Sequence, residues 1–170
     1  MKNIPATKPY FSIDDIDFIN KNFKEILLGN SFLSQYVFSE QFERAFSAYI
    51  GTKFAVSCNS GTSALELIFR SLNINGKEVI LPSNTFIATA NAIMNAGGIP
   101  VFADCDESMC LDYDDAISKI NSKTVAICHV HIGGIVSDAA LRLAKFCKKN
   151  GLFFVEDSAQ GHGTENNGVK

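Results

Sequence analysis

No CxxC pair occurs anywhere in the 170 residues, and the five cysteines, Cys58, Cys105, Cys110, Cys128 and Cys147, are scattered through mostly apolar surroundings. That pattern speaks against a zinc or redox site and reads as reduced core thiols of a cytosolic protein. Long apolar runs are also missing. Nothing approaches the roughly 20 residues that cross a bilayer, and Met1-Lys2-Asn3-Ile4-Pro5 has no apolar stretch behind its lysine. Neither a membrane span nor a leader is expected, and the localisation is read as cytoplasmic. Charge of one sign is scarce: 15 basic against 18 acidic residues leave a net charge of -3. With no basic run or acidic tail, no nucleic-acid or membrane-surface partner is expected. The chain also lacks both the GxxxxGK[ST] loop and the GxGxxG fingerprint, which removes the usual support for nucleoside triphosphates and dinucleotides. No internal repeat or low-complexity linker interrupts it.

What the chain does have is a hydrophobic content of 46% with 19% charged residues, ordinary for one globular domain with a real core. A first helix is expected behind Ser12, with Asp14, Asp15 and Asp17 near its positive end and Ile16, Ile19, Phe23, Ile26 and Leu27 on one face before Gly29. A second carries Phe42, Phe46 and Tyr49 and stops at Gly51. From Lys53 onward, short apolar runs alternate with amphipathic stretches. The runs Phe54 to Ser57, Glu78 to Leu81, Pro100 to Ala103, Val125 to Val130 and Leu152 to Val155 are too short for helices and rich in Val, Ile and Phe, so they read as strands. Between them, helices are predicted from Thr62 to Leu72, Phe86 to Ala96, Tyr113 to Ile120 and Ser137 to Asn150. Strands that are apolar throughout, alternating with helices, predict a three-layer αβα fold around a mostly parallel sheet.

In such a sheet, ligands collect at the carboxyl ends of the strands. Those positions hold Asn59-Ser60-Gly61-Thr62-Ser63, Pro82-Ser83-Asn84-Thr85-Phe86, Asp104, His131 and Asp157-Ser158-Ala159-Gln160. The unpaired amides of a helix's first turn, with Gly61 and the Thr62 and Ser63 hydroxyls, suit a single phosphate; a plain glycine turn with a Ser/Thr cap also fits. Asp157 would be partly buried and would need a cationic or hydrogen-bonding partner, such as a protonated pyridine nitrogen. It also suits a cap or a lysine pair. Phe86 could lie against a flat heterocycle or sit in the core.

Five blocks in order resemble the DegT/StrS-type sugar aminotransferases of fold type I: Ser60-Gly61-Thr62-Ser63-Ala64-Leu65, Pro82-Ser83-Asn84-Thr85-Phe86-Ile87-Ala88-Thr89, Pro100-Val101-Phe102-Ala103-Asp104, Val130-His131-Ile132-Gly133-Gly134 and Glu156-Asp157-Ser158-Ala159-Gln160-Gly161-His162-Gly163. The likeness implies the large domain of such an enzyme and pyridoxal 5′-phosphate as cofactor. By resemblance, Gly61, Thr62 and Ser63 belong to the phosphate site, Phe86 stacks on the pyridine ring, Asp157 pairs with the ring nitrogen, and Gln160 lies near the phenolic oxygen. It further implies a nucleotide-linked keto sugar as acceptor, glutamate as amino donor, and a homodimer. His131 and His162 stay open between site and structural roles.

The same likeness places the Schiff-base lysine beyond Lys170, so no catalytic residue is expected within the chain. Lys170 itself falls in a glycine-bearing turn and is not promoted to that role. The expected organisation is an N-terminal helical entry segment over residues 1–50 and a partial cofactor-binding domain over 51–170, without the small C-terminal domain. The chain is thus expected to be part of a longer aminotransferase, a shortened product that only binds or oligomerises, or part of a related sugar dehydratase in which histidine replaces the lysine. Missing sheet strands would leave an open edge, with poor solubility or forced oligomerisation as the expected consequence.

Overall fold

The computed structural model describes residues 8–34, 36–166 and 168, so Met1 to Pro5 and Lys170 lie outside the described residues. The chain divides into two compact units, one ending at Val56 and the other beginning at Ser57. The first holds helices α1 (Ile13–Leu27) and α2 (Val37–Ile50). Ser12 caps α1 in a capping box: its hydroxyl accepts from the Asp15 amide while the Asp15 carboxylate accepts from the Ser12 amide. Gly51 closes α2, where the sequence puts the stop.

The second unit runs α3 (Gly61–Ser71), β1 (Glu78–Pro82), α4 (Ile87–Asn95), β2 (Ile99–Ala103), α5 (Tyr113–Ser118), β3 (Thr124–Val130), a 3-10 turn (Ile132–Gly134), α6 (Asp138–Asn150) and β4 (Phe153–Asp157). The sheet is four-stranded in the order β2-β1-β3-β4, and every pairing is parallel. Strand periodicity splits the apolar residues between its two faces. Val79, Leu81, Ala126, Cys128 and Val155 join Leu65 and Phe69 of α3 and Ala90, Ala92 and Ile93 of α4 in one core. Ile80, Ala103 and Ile127 join Leu111, Ala116 of α5, and Leu143 and Cys147 of α6 in the other. Two cores on opposite faces make the three-layer αβα architecture that the alternation predicts.

One expected strand does not form. Phe54 to Ser57 is coil, and Phe54 and Val56 are 76% and 80% exposed. Val, Ile and Phe content marks a segment that suits a ladder, but a strand exists only where a neighbour completes its hydrogen bonds. None of the four strands pairs with this segment. The Ser60–Ala64 stretch therefore leads from coil, not from a strand, into α3.

All five cysteines are free; Cys110, Cys128 and Cys147 are buried, and Cys58 is exposed. Burial raises the thiol of Cys147 to about 11 and that of Cys128 further, so these two act as apolar core residues. Among the described residues no helix is long and apolar enough to cross a membrane.

Candidate functional site

The chain leaves β1 towards β2 on one side of the sheet and then returns past β1 to β3 on the other. At such a reversal the loops diverge, and the crevice between the carboxyl ends of β1 and β3 is the place where ligands settle in open α/β sheets. Ser83, Asn84, Thr85 and Phe86 follow β1 at this rim, His131 follows β3, and Asp157 ends β4.

Helices α3 and α4 bring the remaining groups to the same rim. At their carboxyl ends Arg70 donates to the Asn95 carbonyl at 2.7 Å, and Asn95 donates to Glu66 at 3.3 Å. Both helices start at the rim and run away from it side by side. Gly61–Ser63 and Phe86 lie seven to nine residues before that contact, about 10–14 Å at 1.5 Å per residue, so they stand at a similar level. Ser60 is the N-cap of α3: its hydroxyl accepts from the Ser63 amide at 3.1 Å, and its carbonyl accepts from the Ala64 amide. The plain capping role thus belongs to Ser60. The Gly61 and Thr62 amides come first in the helix and have no carbonyl one turn back to bond. Beside them the Thr62 and Ser63 side chains are half-buried.

Phe86 is the N-cap residue of α4 and is 74% exposed, so it is not a core phenylalanine. One turn on, Thr89 is fully buried and donates to Asp157 Oδ2 at 2.8 Å, tying the start of α4 to the end of β4. Asp157 Oδ1 accepts from the Ala159 amide at 3.3 Å, so the carboxylate also shapes its own turn. The loops after β3 and β4 are joined as well. Gln160 Oε1 accepts from the Gly133 amide at 2.7 Å, which leaves the amide nitrogen of Gln160 as its remaining donor. Gly134, at φ +77, lets the turn pass so close that a Cβ there would stand 2.7 Å from the Gln160 carbonyl oxygen.

His131 is 4% exposed, and both of its ring nitrogens face acceptors: Nδ1 the Ile135 carbonyl at 3.2 Å, Nε2 the Glu156 carboxylate at 3.0 Å. With an acceptor at each nitrogen, the surroundings favour the doubly protonated ring, and the contacts tie the post-β3 turn to β4. The Glu156 hydrogen bond accordingly raises its pKa. His162 is exposed. His129, which the residue pattern did not single out, is fully buried with its ring centroid 4.9 Å from that of His131. Thr89 also carried no assigned role, although it closes the second motif block. A hydroxyl at the third position of an otherwise Ala- and Ile-rich helix start was the available signal.

First-turn amides for an anion, an exposed aromatic for a flat ring, and an oriented carboxylate for a positive nitrogen are together the chemistry that pyridoxal phosphate requires. They describe a class: an α/β protein with groups suited to a phosphorylated heteroaromatic at the carboxyl rim of its sheet. The profile of the DegT/DnrJ/EryC1/StrS aminotransferase family matches residues 14–170, and the chain belongs to that family. It is 39% identical over 133 residues to GDP-perosamine synthase of Vibrio cholerae, covering 77% of this chain and 36% of that protein. It is 33% identical over 152 residues to 3-oxo-glucose-6-phosphate:glutamate aminotransferase of Bacillus subtilis, covering 88% and 34%. The crystal structure of NtdA from Bacillus subtilis with bound cofactor PMP superposes with a TM-score of 0.81 at 31% identity, covering 99% of this chain and 40% of that one. The chain therefore spans about a third of the length of the curated relatives it matches.

Proposed function

We propose that the full-length protein is a pyridoxal-phosphate-dependent sugar aminotransferase, moving an amino group from glutamate to the keto carbon of a nucleotide-linked sugar in amino-sugar and polysaccharide biosynthesis. The observation that carries the reading is the contact between Thr89 and Asp157, which ties the Phe86 turn to a carboxylate at the same rim as the open end of α3. In this reading the Gly61 and Thr62 amides and the Thr62 and Ser63 hydroxyls hold the phosphate. Phe86 lies against the pyridine ring. Asp157 keeps a proton on the ring nitrogen, and the free amide nitrogen of Gln160 donates towards the phenolic oxygen. When bound, the cofactor supplies a protonated ring that accepts electrons as the donor's α-proton leaves. The lysine that takes that proton lies beyond Lys170, in a chain that works as a cytoplasmic homodimer.

Support for the substrate class comes from the relatives, named for GDP-perosamine synthesis and for transfer from glutamate to an oxo-glucose phosphate. The test is to load the full-length protein with pyridoxal phosphate, supply glutamate, and follow keto nucleotide sugars by mass spectrometry. The expected product is the corresponding amino sugar. Absence of amination across 3-keto and 4-keto nucleotide sugars overturns the nucleotide-sugar reading, and amination of a keto sugar phosphate alone replaces it.

A further inference from the structure

We propose that Thr89, backed by Thr85, is a positioning residue that sets the orientation of the Asp157 carboxylate for the ring nitrogen of the cofactor. The inference rests on the cofactor reading above and adds two residues to it. Asp157 ends a strand that pairs only with β3 among the described residues, so the sheet steadies its backbone from one side alone. Its side chain is steadied from α4.

The direction of each proton follows from the partners. An ionised carboxylate only accepts, so the single Thr89 proton is the one shared with Asp157 Oδ2 at 2.8 Å. Thr85 Oγ1 lies 2.9 Å from Thr89 Oγ1, and with the Thr89 proton committed, Thr85 must be the donor there. Its alternative acceptor, the Phe86 carbonyl, is more distant at 3.5 Å. The result is a directed chain, Thr85 to Thr89 to Asp157, in which each hydroxyl that accepts becomes a better donor.

Thr89 is suited to hold a fixed angle. It is β-branched and fully buried, and its amide donates to the Phe86 carbonyl at 3.0 Å. That amide bond places Thr89 on the same first turn that presents Phe86, so one rigid turn registers the stacking ring against the carboxylate. With Thr89 on Oδ2 and the Ala159 amide on Oδ1, both oxygens are anchored, and each keeps a lone pair to offer.

The experiment uses the full-length protein, stripped of cofactor and titrated with pyridoxal phosphate, comparing wild type with Thr89→Val, Thr89→Ser and Thr85→Val. Thr89→Val keeps the shape and removes the hydroxyl. It is expected to raise the Kd about tenfold, the scale of one hydrogen bond to a charged group. By linkage, the pH at which the bound ring nitrogen loses its proton, read by 15N NMR of labelled cofactor, should fall by about one unit, because a misaligned carboxylate holds the ring proton less firmly. Thr89→Ser should restore both values to within about twofold of wild type, and Thr85→Val should shift both in the same direction by about threefold, the size of a neutral hydrogen bond. Wild-type Kd and pH midpoint in Thr89→Val overturn the inference, as does a Thr89→Ser protein as impaired as Thr89→Val. A Thr85→Val protein identical to wild type overturns the chain behind Thr89. Should the unaltered protein take up no pyridoxal phosphate, the cofactor reading falls and this inference with it.

Discussion

Replacing His129 by phenylalanine should make the protein resist mild acid better than its parent. The His129 ring is fully buried, its Nδ1 has no hydrogen-bond partner, and its Nε2 has only the Ser137 hydroxyl at 3.5 Å. Burial, and then the charge on His131, push its pKa from 6.5 down to about 4. A base whose pKa is lower folded than unfolded adds stability that is complete above the unfolded value and drains away as pH falls towards the folded one. The gap of about 2.5 units corresponds to about 3 kcal/mol in all, of which about 2 kcal/mol is gone by about pH 5. His131 acts in the opposite sense and in another window: its raised pKa adds stability below 6.5 that is lost as pH climbs through the folded value. The acid limb therefore reports His129 alone of the pair. Phenylalanine keeps a ring near Phe154, and Ser137 still accepts from the Ala140 amide. Urea unfolding of both full-length proteins at about pH 7 and about pH 5 is the assay, with carboxylate titration common to the two. Equal losses in parent and variant would refute the argument that a neutral imidazole with an unpartnered Nδ1 is buried here.

Two further outcomes bear on the rim. Phe86→Ala should leave urea stability within about 0.5 kcal/mol, since the ring is 74% exposed, yet weaken pyridoxal phosphate binding about tenfold by equilibrium titration, through lost stacking. Gly134→Ala should cost about 2 kcal/mol or more of stability, combining left-handed strain at φ +77 with a Cβ 2.7 Å from the Gln160 carbonyl oxygen. It should also weaken cofactor binding by moving Gln160; a variant with parental stability and affinity would show that the two loops are not held in register by this contact.

The fold was legible wherever local chemistry and burial agree. Ser12, Ser137 and Gly151 mark helix ends by hydrogen bonds that a few neighbouring residues settle among themselves. The two central strands, β1 and β3, are buried on nearly every residue, so their apolar composition reports them directly, while β2 and β4 are partly exposed and are marked by their Val, Ile and Phe content between turn residues. Phe54 to Ser57 has the same composition, but its state depends on a pairing partner elsewhere in the chain, which local content cannot reveal. The site divides in the same way. Gly61, Thr62, Ser63, Phe86 and Asp157 lie at the ends of elements and Gln160 in the turn after β4, which are the positions a linear reading inspects first. Thr89, His129 and the raised pKa of His131 depend on contacts between residues 25 to 68 positions apart or on neighbouring strands, which a linear reading does not supply.

The residues that hold the rim in place share a position: they lie directly behind it. Thr89 fixes Asp157, His131 fixes the turn that carries Gly133, and Gly133 fixes Gln160. Asp157 and Gln160 therefore take their orientation from elements other than their own, with α4 steering the end of β4 and the turn after β3 steering the loop after β4. An arrangement of this kind gives the rim a fixed geometry without burying it. Phe86 and Gln160 can remain exposed for a ligand while the Thr89–Asp157 and His131–Glu156 hydrogen bonds behind them are part-buried, where water competes less for the donors.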